Sequence, residues 1–474
     1  MFAYLSLMQS ARILDMRKRI AFISILIGLL FFLNSSQYLS WFYILANFFD
    51  AAQVDFFGQF LGELFQGLGV LCFSGYIYFS KRKPNRIVEF ASLLVLTYIF
   101  SVLAIVPESP FACLIFGLLM NIAIGLLFAW YTYIIIYIVP QEHFGISFGA
   151  GIGISCLFSF LLYKSNPDYS FVTSAACLYL YAFTAIISII ILIAQTGLIS
   201  DEPYGYSLDT NSLSPLYNPK KGIAYLFLFL FMASVVFGMG YFVPSQDLQT
   251  FNISVEVMRV AYCISLIIAG IANDYSRKHG LILSLVTIAF TFSMPLMREN
   301  TPGVYIAWVA SYLLGGLISV FRAVAFLDTA NENQLFYLAP MGLFIGRVGE
   351  SAGYLIRTRL FNNYVVLLLI ISVFFALAIV LFALVYSFAY LKPEANALPE
   401  VDYHANFVGR YQLSTREIQI LDEILSGKAN KEIAATLFIT EATVKFHVKN
   451  LLQKTNCKNR NELTKLYNDD NNSL

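Results

Sequence analysis

Residues 364–390 read YVVLLLIISVFFALAIVLFALVYSFAY, a run with no Asp, Glu, Lys, Arg or His. About 20 apolar residues in a helix cross the hydrocarbon core of a bilayer, so this run is long enough to span one. Further apolar runs of that size precede it, near 19–37, 56–79, 87–106, 111–139, 145–163, 171–194, 222–243, 253–273, 280–297, 304–327 and 338–357. Composition agrees: 58% of the 474 residues are hydrophobic and 12% charged, against about 25% charged in a soluble domain. A soluble enzyme is excluded. A disordered chain is excluded too, because 44 Phe and 30 Tyr are too many. The expected fold is all-α: twelve membrane spans followed by a small helical domain.

The spans group into an N-terminal segment 1–18, a first half 19–194, a polar central loop 195–221 and a second half 222–390. Arg17-Lys18-Arg19 precedes the first run as it would a signal peptide. No small-residue cleavage site follows, so the run is read as an uncleaved span. With the N-terminus inside, the inner segments hold Arg12, Arg17, Lys18, Arg19, Lys81, Arg82, Lys83, Arg86, Lys220, Lys221, Arg277 and Lys278. The outer loops hold Lys164, Arg298, Arg357 and Arg359. Basic residues favour the cytoplasmic side, so both termini are expected there. The aromatic stretch Trp41, Phe42, Tyr43, Phe48 and Phe49 reads as an outer interfacial belt.

The halves repeat. Arg82 and Lys278 stand 196 positions apart, as do Gly153 and Gly349, and Gly149 and Gly346 stand 197 apart. Such an offset indicates two six-span repeats. The loop Gly270-Ile-Ala-Asn-Asp274-Tyr-Ser-Arg277-Lys278 resembles the Gly-x-x-x-Asp-Arg-x-Gly-Arg-Arg loop of the major facilitator (MFS) transporters. Its second glycine is absent, and the matching Gly75–Lys83 segment lacks the aspartate. Gly145, Gly149 and Gly153, and Gly342, Gly346, Gly349 and Gly353, form small-residue stripes that let helices approach closely. They read either as static packing or as a sliding seam.

Charge at mid-bilayer is costly, which singles out Arg347 and Glu350 in the eleventh span. Their i, i+3 spacing suggests that they pair with each other, as a structural bridge or as the wall of a ligand or proton site. Glu256 and Arg259 repeat the spacing near the outer end of the eighth span. Arg322 lies low in the tenth span, where it is expected to snorkel to the surface, with Asp328 nearby. Glu63 and Asn121 are further polar residues in spans. Arg347, Glu350, Arg322 and Asn121 are the expected ligand or state-switch residues. Catalytic motifs, a cofactor site and metal-ligand spacings are absent from the sequence. The six cysteines show no CxxC pair, so neither a disulfide framework nor a zinc site is expected.

Composition changes at residue 391. Residues 391–410, with Pro393 and Pro399, read as a linker. Residues 411–468 form a periodic helical module, and 469–474 a polar tail. Ser414 and Glu417 make a capping box, followed by an apolar stripe of Ile418, Leu421, Ile424 and Leu425. Gly427 stops that helix. Asn430 is expected to cap a second helix with Ile433, Ala434 and Leu437 inward. Thr440 caps a third that buries Val444, Val448, Leu451 and Leu452. Asn459 and Glu462 cap a fourth with Leu463 and Leu466 inward. A short helix, a tight turn and a longer helix make a helix-turn-helix. From Ala442 to Asn461 the chain holds Lys445, Lys449, Lys454, Lys458 and Arg460 and no acidic residue, a footprint for phosphate.

Leu413-Ser414-Thr415-Arg416-Glu417, Gly427–Ala434, Thr443–Val448 and Asn459-Arg460 are similar, in order, to the LuxR-type helix-turn-helix; Asn456-Cys457 stand where that family usually has Gly-Val. With Val444 and Val448 inward, Ala442, Lys445, Phe446, Lys449 and Gln453 face outward to a major groove. There the lysines suit guanine O6 and N7, and Phe446 a thymine methyl. Thr440, Thr443, His447 and Lys454 flank that face toward phosphates. Packing against the first helix is the alternative for Phe446, and half-burial the alternative for His447. The resemblance implies double-stranded DNA as partner and a dimer through 460–467. Together these readings describe a multi-pass protein of the bacterial cytoplasmic membrane, in contact with lipid. An MFS-like sensor for an unknown small molecule would control a cytoplasmic DNA-binding domain. A transporter with a regulatory tail is the alternative, and a protein-docking scaffold a third.

Overall fold

The computed structural model describes residues 2–80, 86–106, 108–164, 171, 174, 176–200, 203, 219–241, 255–293, 301–360, 364–389, 407–408, 410–437 and 439–472. Arg82, Arg298, Pro393 and Pro399, and the side chain of Glu256, lie outside the described residues. The chain divides into two compact units, Met1–Lys392 and Pro393–Leu474. Among the described residues regular structure is helical throughout.

The first unit holds α1 (Phe2–Leu45), α2 (Ala51–Phe79), α3 (Arg86–Ile105), α4 (Pro110–Ile135), α5 (Phe144–Lys164) and α6 (Ala176–Ala194). It continues with α7 (Pro219–Tyr241), α8 (Val255–Tyr275), α9 (Arg277–Ser293), α10 (Thr301–Glu332), α11 (Met341–Leu360) and α12 (Tyr364–Ala389). These twelve fall on the twelve expected runs. Nine are long and apolar enough to cross a membrane by length and composition. The other three are α8, which holds Asp274, α11, which holds Arg347, and the short α9, which opens on Arg277. α1 begins well before residue 19, and its far end is interior. Trp41 is fully buried and its indole N–H donates to the Cys113 carbonyl at 2.9 Å, so it belongs to the core rather than to an interfacial belt.

Packing repeats with the sequence. α1 packs on α5 and α7 on α11; α2 packs on α4 and α8 on α10. The two halves meet where α5 packs on α8 and where α11 packs on α2, the same relation six helices apart. Glycine permits the close approach: a Cβ at Gly149 would strike the Leu266 backbone, and one at Gly353 the Val235 carbonyl.

The second unit has its own core of Phe407, Leu413, Ile420, Leu421, Ile424, Ile433, Ala434, Val444, Val448, Leu451 and Leu463. Its helices are α13 (Thr415–Leu425), α14 (Asn430–Thr436), α15 (Glu441–Lys454) and α16 (Arg460–Asn472). Phe407, expected in the linker, is buried, with its ring 4.7 Å from Tyr411 and 5.0 Å from Tyr467. The module therefore starts before residue 411.

Candidate functional sites

The membrane body holds a partly open cavity of about 250 Å³, lined from both halves. α1 contributes Phe31, Asn34 and Tyr38, α2 Gln66 and α4 Phe128; Arg259, Tyr262, Tyr312 and Arg347 come from α8, α10 and α11. Of the four membrane residues expected at a site, Arg347 alone lines it. Asn121 is set behind: it accepts from Gln66 Nε2 at 2.7 Å and donates to the Gly117 carbonyl at 2.8 Å, tying α2 to α4.

The expected Arg347–Glu350 bridge does not form. Arg347 turns to α2, where its Nη1 lies 3.5 Å from Glu63 Oε1, and its guanidinium stands 5.4 Å over the Phe128 ring. Glu350 turns to α10, where Arg322 Nη1 reaches Oε1 at 2.8 Å and Ser234 Oγ at 2.8 Å. Each charge finds its partner across a helix interface rather than along its own helix. Arg322 is thus buried and does not snorkel. Asn34, which no sequence motif marks, is 1% exposed, and its amide makes no hydrogen bond. A buried polar group left so costs about 1–3 kcal/mol. The polar run Asn34-Ser35-Ser36-Gln37 inside an apolar span was the available signal.

At one end of the α5–α8 seam, both Asp274 carboxylate oxygens accept backbone N–H groups, from Gly145 and from Ile146, each at 2.7 Å. These are unpaired donors of the α5 N-terminus, where a carboxylate is favoured. Arg277 holds the aspartate at 3.1 Å and bridges to Asp328 at 2.6 Å.

In the second unit, Glu417 accepts from the Ser414 amide at 2.8 Å and hydroxyl at 2.9 Å, closing the start of α13. Gly427, at φ +79°, ends that stretch. The N-cap of α14 is Ala429 rather than Asn430, and its amide donates to Glu432 at 2.7 Å. Thr440 caps α15, accepting from the Thr443 amide at 3.2 Å. Asn459 caps α16 through the Glu462 amide at 3.0 Å. Asn456 takes φ +55°, the conformation glycine favours and asparagine tolerates. The turn thus keeps its shape without the usual glycine.

Residues 411–467 match the family described as GerE, bacterial regulatory proteins of the luxR family. They form a LuxR-family DNA-binding domain. Over 52 residues the chain is 58% identical to a transcriptional regulatory protein, YhcZ, of Bacillus subtilis; the match takes in 11% of this chain and 24% of that protein. Over 55 residues it is 46% identical to the nitrate/nitrite response regulator protein NarP of Escherichia coli, in 12% of this chain and 26% of that one. The chain spans about a quarter of the length of these curated relatives. The likeness to solved structures lies in the other unit's fold. The human organic anion transporter MFSD10 (TETRAN) superposes with a TM-score of 0.52 at 14% identity, over 78% of this chain and 99% of that one. The body is an MFS-fold membrane bundle.

Within the LuxR-type domain, Val444, Val448 and Leu451 are buried, and Ala442, Lys445, Phe446, Lys449 and Gln453 are exposed along the opposite face of α15. Phe446 is 61% exposed and stands 5.4 Å from the half-buried His447 ring, not against α13. Thr440 is exposed and Thr443 half-buried. Lys454, expected at a phosphate, is occupied within the domain: its Nζ donates to Glu417 and to the Gln412 carbonyl, both at 2.8 Å. Lys445 pairs with Glu441 at 2.8 Å, an acidic residue on α15 that sequence reading placed outside the basic stretch. The apolar side chains of α16 are spent inside the domain: Leu463 is buried and Leu466 and Tyr467 pack on the core.

Proposed function

We propose that the protein is a membrane-anchored transcription regulator of the bacterial cytoplasmic membrane, with both termini in the cytoplasm. The MFS-fold body senses a small molecule, and the LuxR-type domain acts on DNA. The observation that carries this reading is the exposed face of α15, where Lys445, Phe446 and Lys449 project away from a fully formed core. On duplex DNA, Lys445 and Lys449 read guanine edges in the major groove and Phe446 packs on a thymine methyl. Thr440, Thr443 and His447 meet flanking phosphates. Two copies bind two half-sites, meeting through 460–467. The chain works by binding and needs no catalytic group.

Signalling requires a ligand with different affinities for two states of the body. Arg347, Glu350 and Arg322 sit at or beside the inter-half seam, so a ligand there biases how the tail is presented. Tested by footprinting and transcript profiling, the full chain should protect a promoter, and Lys445→Ala should weaken that protection and reduce the transcript change. A profile identical with and without the chain overturns the reading. The Asp274 latch favours a second reading, a working transporter with a regulatory tail, because a latch on an α5–α8 seam serves alternation. Gradient-driven uptake by proteoliposomes holding residues 1–392 would favour that reading.

A further inference from the structure

The cavity in the membrane body has walls of unequal character. Two aromatic pairs face it. Phe31 and Phe128 stack in the first half at 5.6 Å and 9°. Tyr262 and Tyr312 meet edge-on in the second at 6.0 Å and 86°. Two guanidinium groups, Arg259 and Arg347, also line it, and among the described lining residues there is no carboxylate.

Two observations point to a ligand rather than to packing alone. Asn34 is 1% exposed and lines the cavity with both Oδ1 and Nδ2 unpartnered. Gln66, also on the wall, has an unpartnered Oε1 although its Nε2 is used by Asn121. In addition, the Arg347 contact with Glu63 is 3.5 Å, long beside the roughly 2.7–2.9 Å of a good charge-assisted bond. A guanidinium with five donors suits a planar two-oxygen anion better than this single long contact.

We propose that the cavity binds a small aromatic carboxylate: the ring lies between the Phe31–Phe128 and Tyr262–Tyr312 walls, and the carboxylate takes Arg347 from Glu63. Size sets the upper limit. A volume of about 250 Å³ falls below the range of drug-sized sites, so one ring with a short acidic arm fits. Asn34 supplies a donor and an acceptor for a second polar substituent. Glu63 stands on α2 and Arg347 on α11, which belong to opposite halves. Displacing one from the other loosens an inter-half contact, which gives the ligand the differential affinity that a sensor needs. The proposal therefore rests on the sensor reading and deepens it.

The test titrates the full chain, purified in detergent micelles, with benzoate, phenylacetate and salicylate by calorimetry. Benzamide and benzylamine serve as neutral and cationic counterparts. The carboxylates should bind about tenfold or more tightly than benzamide, with benzylamine weaker still. Arg347→Gln should erase the preference for carboxylate over amide. Glu63→Gln, which removes the competitor, should tighten benzoate several-fold, a gain that a misfolded variant does not give. Benzylamine or benzamide binding as tightly as benzoate overturns the proposal. So does weakening by Glu63→Gln, or the failure of all three carboxylates to bind. A promoter reporter followed in parallel separates the two readings. Binding without a reporter change supports the site and sinks the sensor. A chain-dependent reporter with no carboxylate binding keeps the regulator and overturns the site.

Discussion

Arg322 on α10 and Glu350 on α11 stand 2.8 Å apart within the bundle, with Ser234 of α7 on the same guanidinium nitrogen at 2.8 Å. The contact joins three helices of the second half. Removing one partner strands the other in a low dielectric, which costs about 3–5 kcal/mol, whereas replacing both leaves no uncompensated charge. Arg322→Met should therefore lower thermal stability in detergent more than Arg322→Met with Glu350→Gln. Additive losses in this double-mutant cycle would show that the two charges do not interact.

That relationship also marks the limit of what the sequence discloses. The run at 364–390 and its eleven predecessors are legible because a bilayer demands length and apolarity, which are one-dimensional quantities. The Gly149–Gly346 offset announced the repeat, and the α15 face was legible because helix period alone separates Val444 and Val448 from Lys445 and Lys449. Partner choice is different. Spacing on α11 put Arg347 with Glu350, but its neighbour is Glu63, 284 positions earlier. Asn34 went unread for the same reason, since its meaning depends on Gln66, Tyr262 and Arg347 converging from other helices. Phe407 looked like linker because its ring partners, Tyr411 and Tyr467, lie one local and one at the end of the chain.

The Asp274 latch predicts a change in exposure. Its carboxylate accepts two α5 amides and is held by Arg277. Asp274→Ala leaves those donors without a partner at a site where one carboxylate contributes up to about 2 kcal/mol. The α5–α8 seam should open more often. Cys156 of α5, buried beside the cavity, reports it. Its maleimide labelling, read by peptide mass mapping, should quicken in Asp274→Ala relative to wild type. An unchanged rate would make the latch a purely local cap.

On α15, Lys445→Ala and Lys449→Ala should each weaken specific binding by about 1–3 kcal/mol if the lysine makes a bidentate base contact. Discrimination should relax at one base position per lysine. Glu441 adds a contrast. It pairs with Lys445 on the exposed surface and presents a negative charge beside the expected phosphate track. Glu441→Gln should strengthen binding to unrelated DNA and leave the domain folded. Competition binding at two salt concentrations checks both. An undiminished footprint in Lys449→Ala would take that residue off the reading face.

Glu417 gives the LuxR-type domain a pH dependence with a definite sign. Burial pushes its carboxyl up, but hydrogen bonds from Lys454 and from the Ser414 amide and hydroxyl outweigh burial and hold it below the ordinary glutamate value. A carboxyl lowered on folding stabilises the folded form above its unfolded value, near 4.3. That contribution is lost as pH falls through the lower, folded value. Residues 393–474, a compact unit with its own core, should therefore lose stability to denaturant as pH drops from about 5 toward 3. Glu417→Gln should lower stability at neutral pH by about 1.5–3 kcal/mol, the scale of hydrogen bonds to a charged group, and flatten the acid limb. Lys454→Met should flatten it in part, because the Ser414 bonds remain. If Glu417→Gln kept the full acid sensitivity, other carboxylates would be setting it, and the Glu417–Lys454 contact would not be what locks α13 to α15.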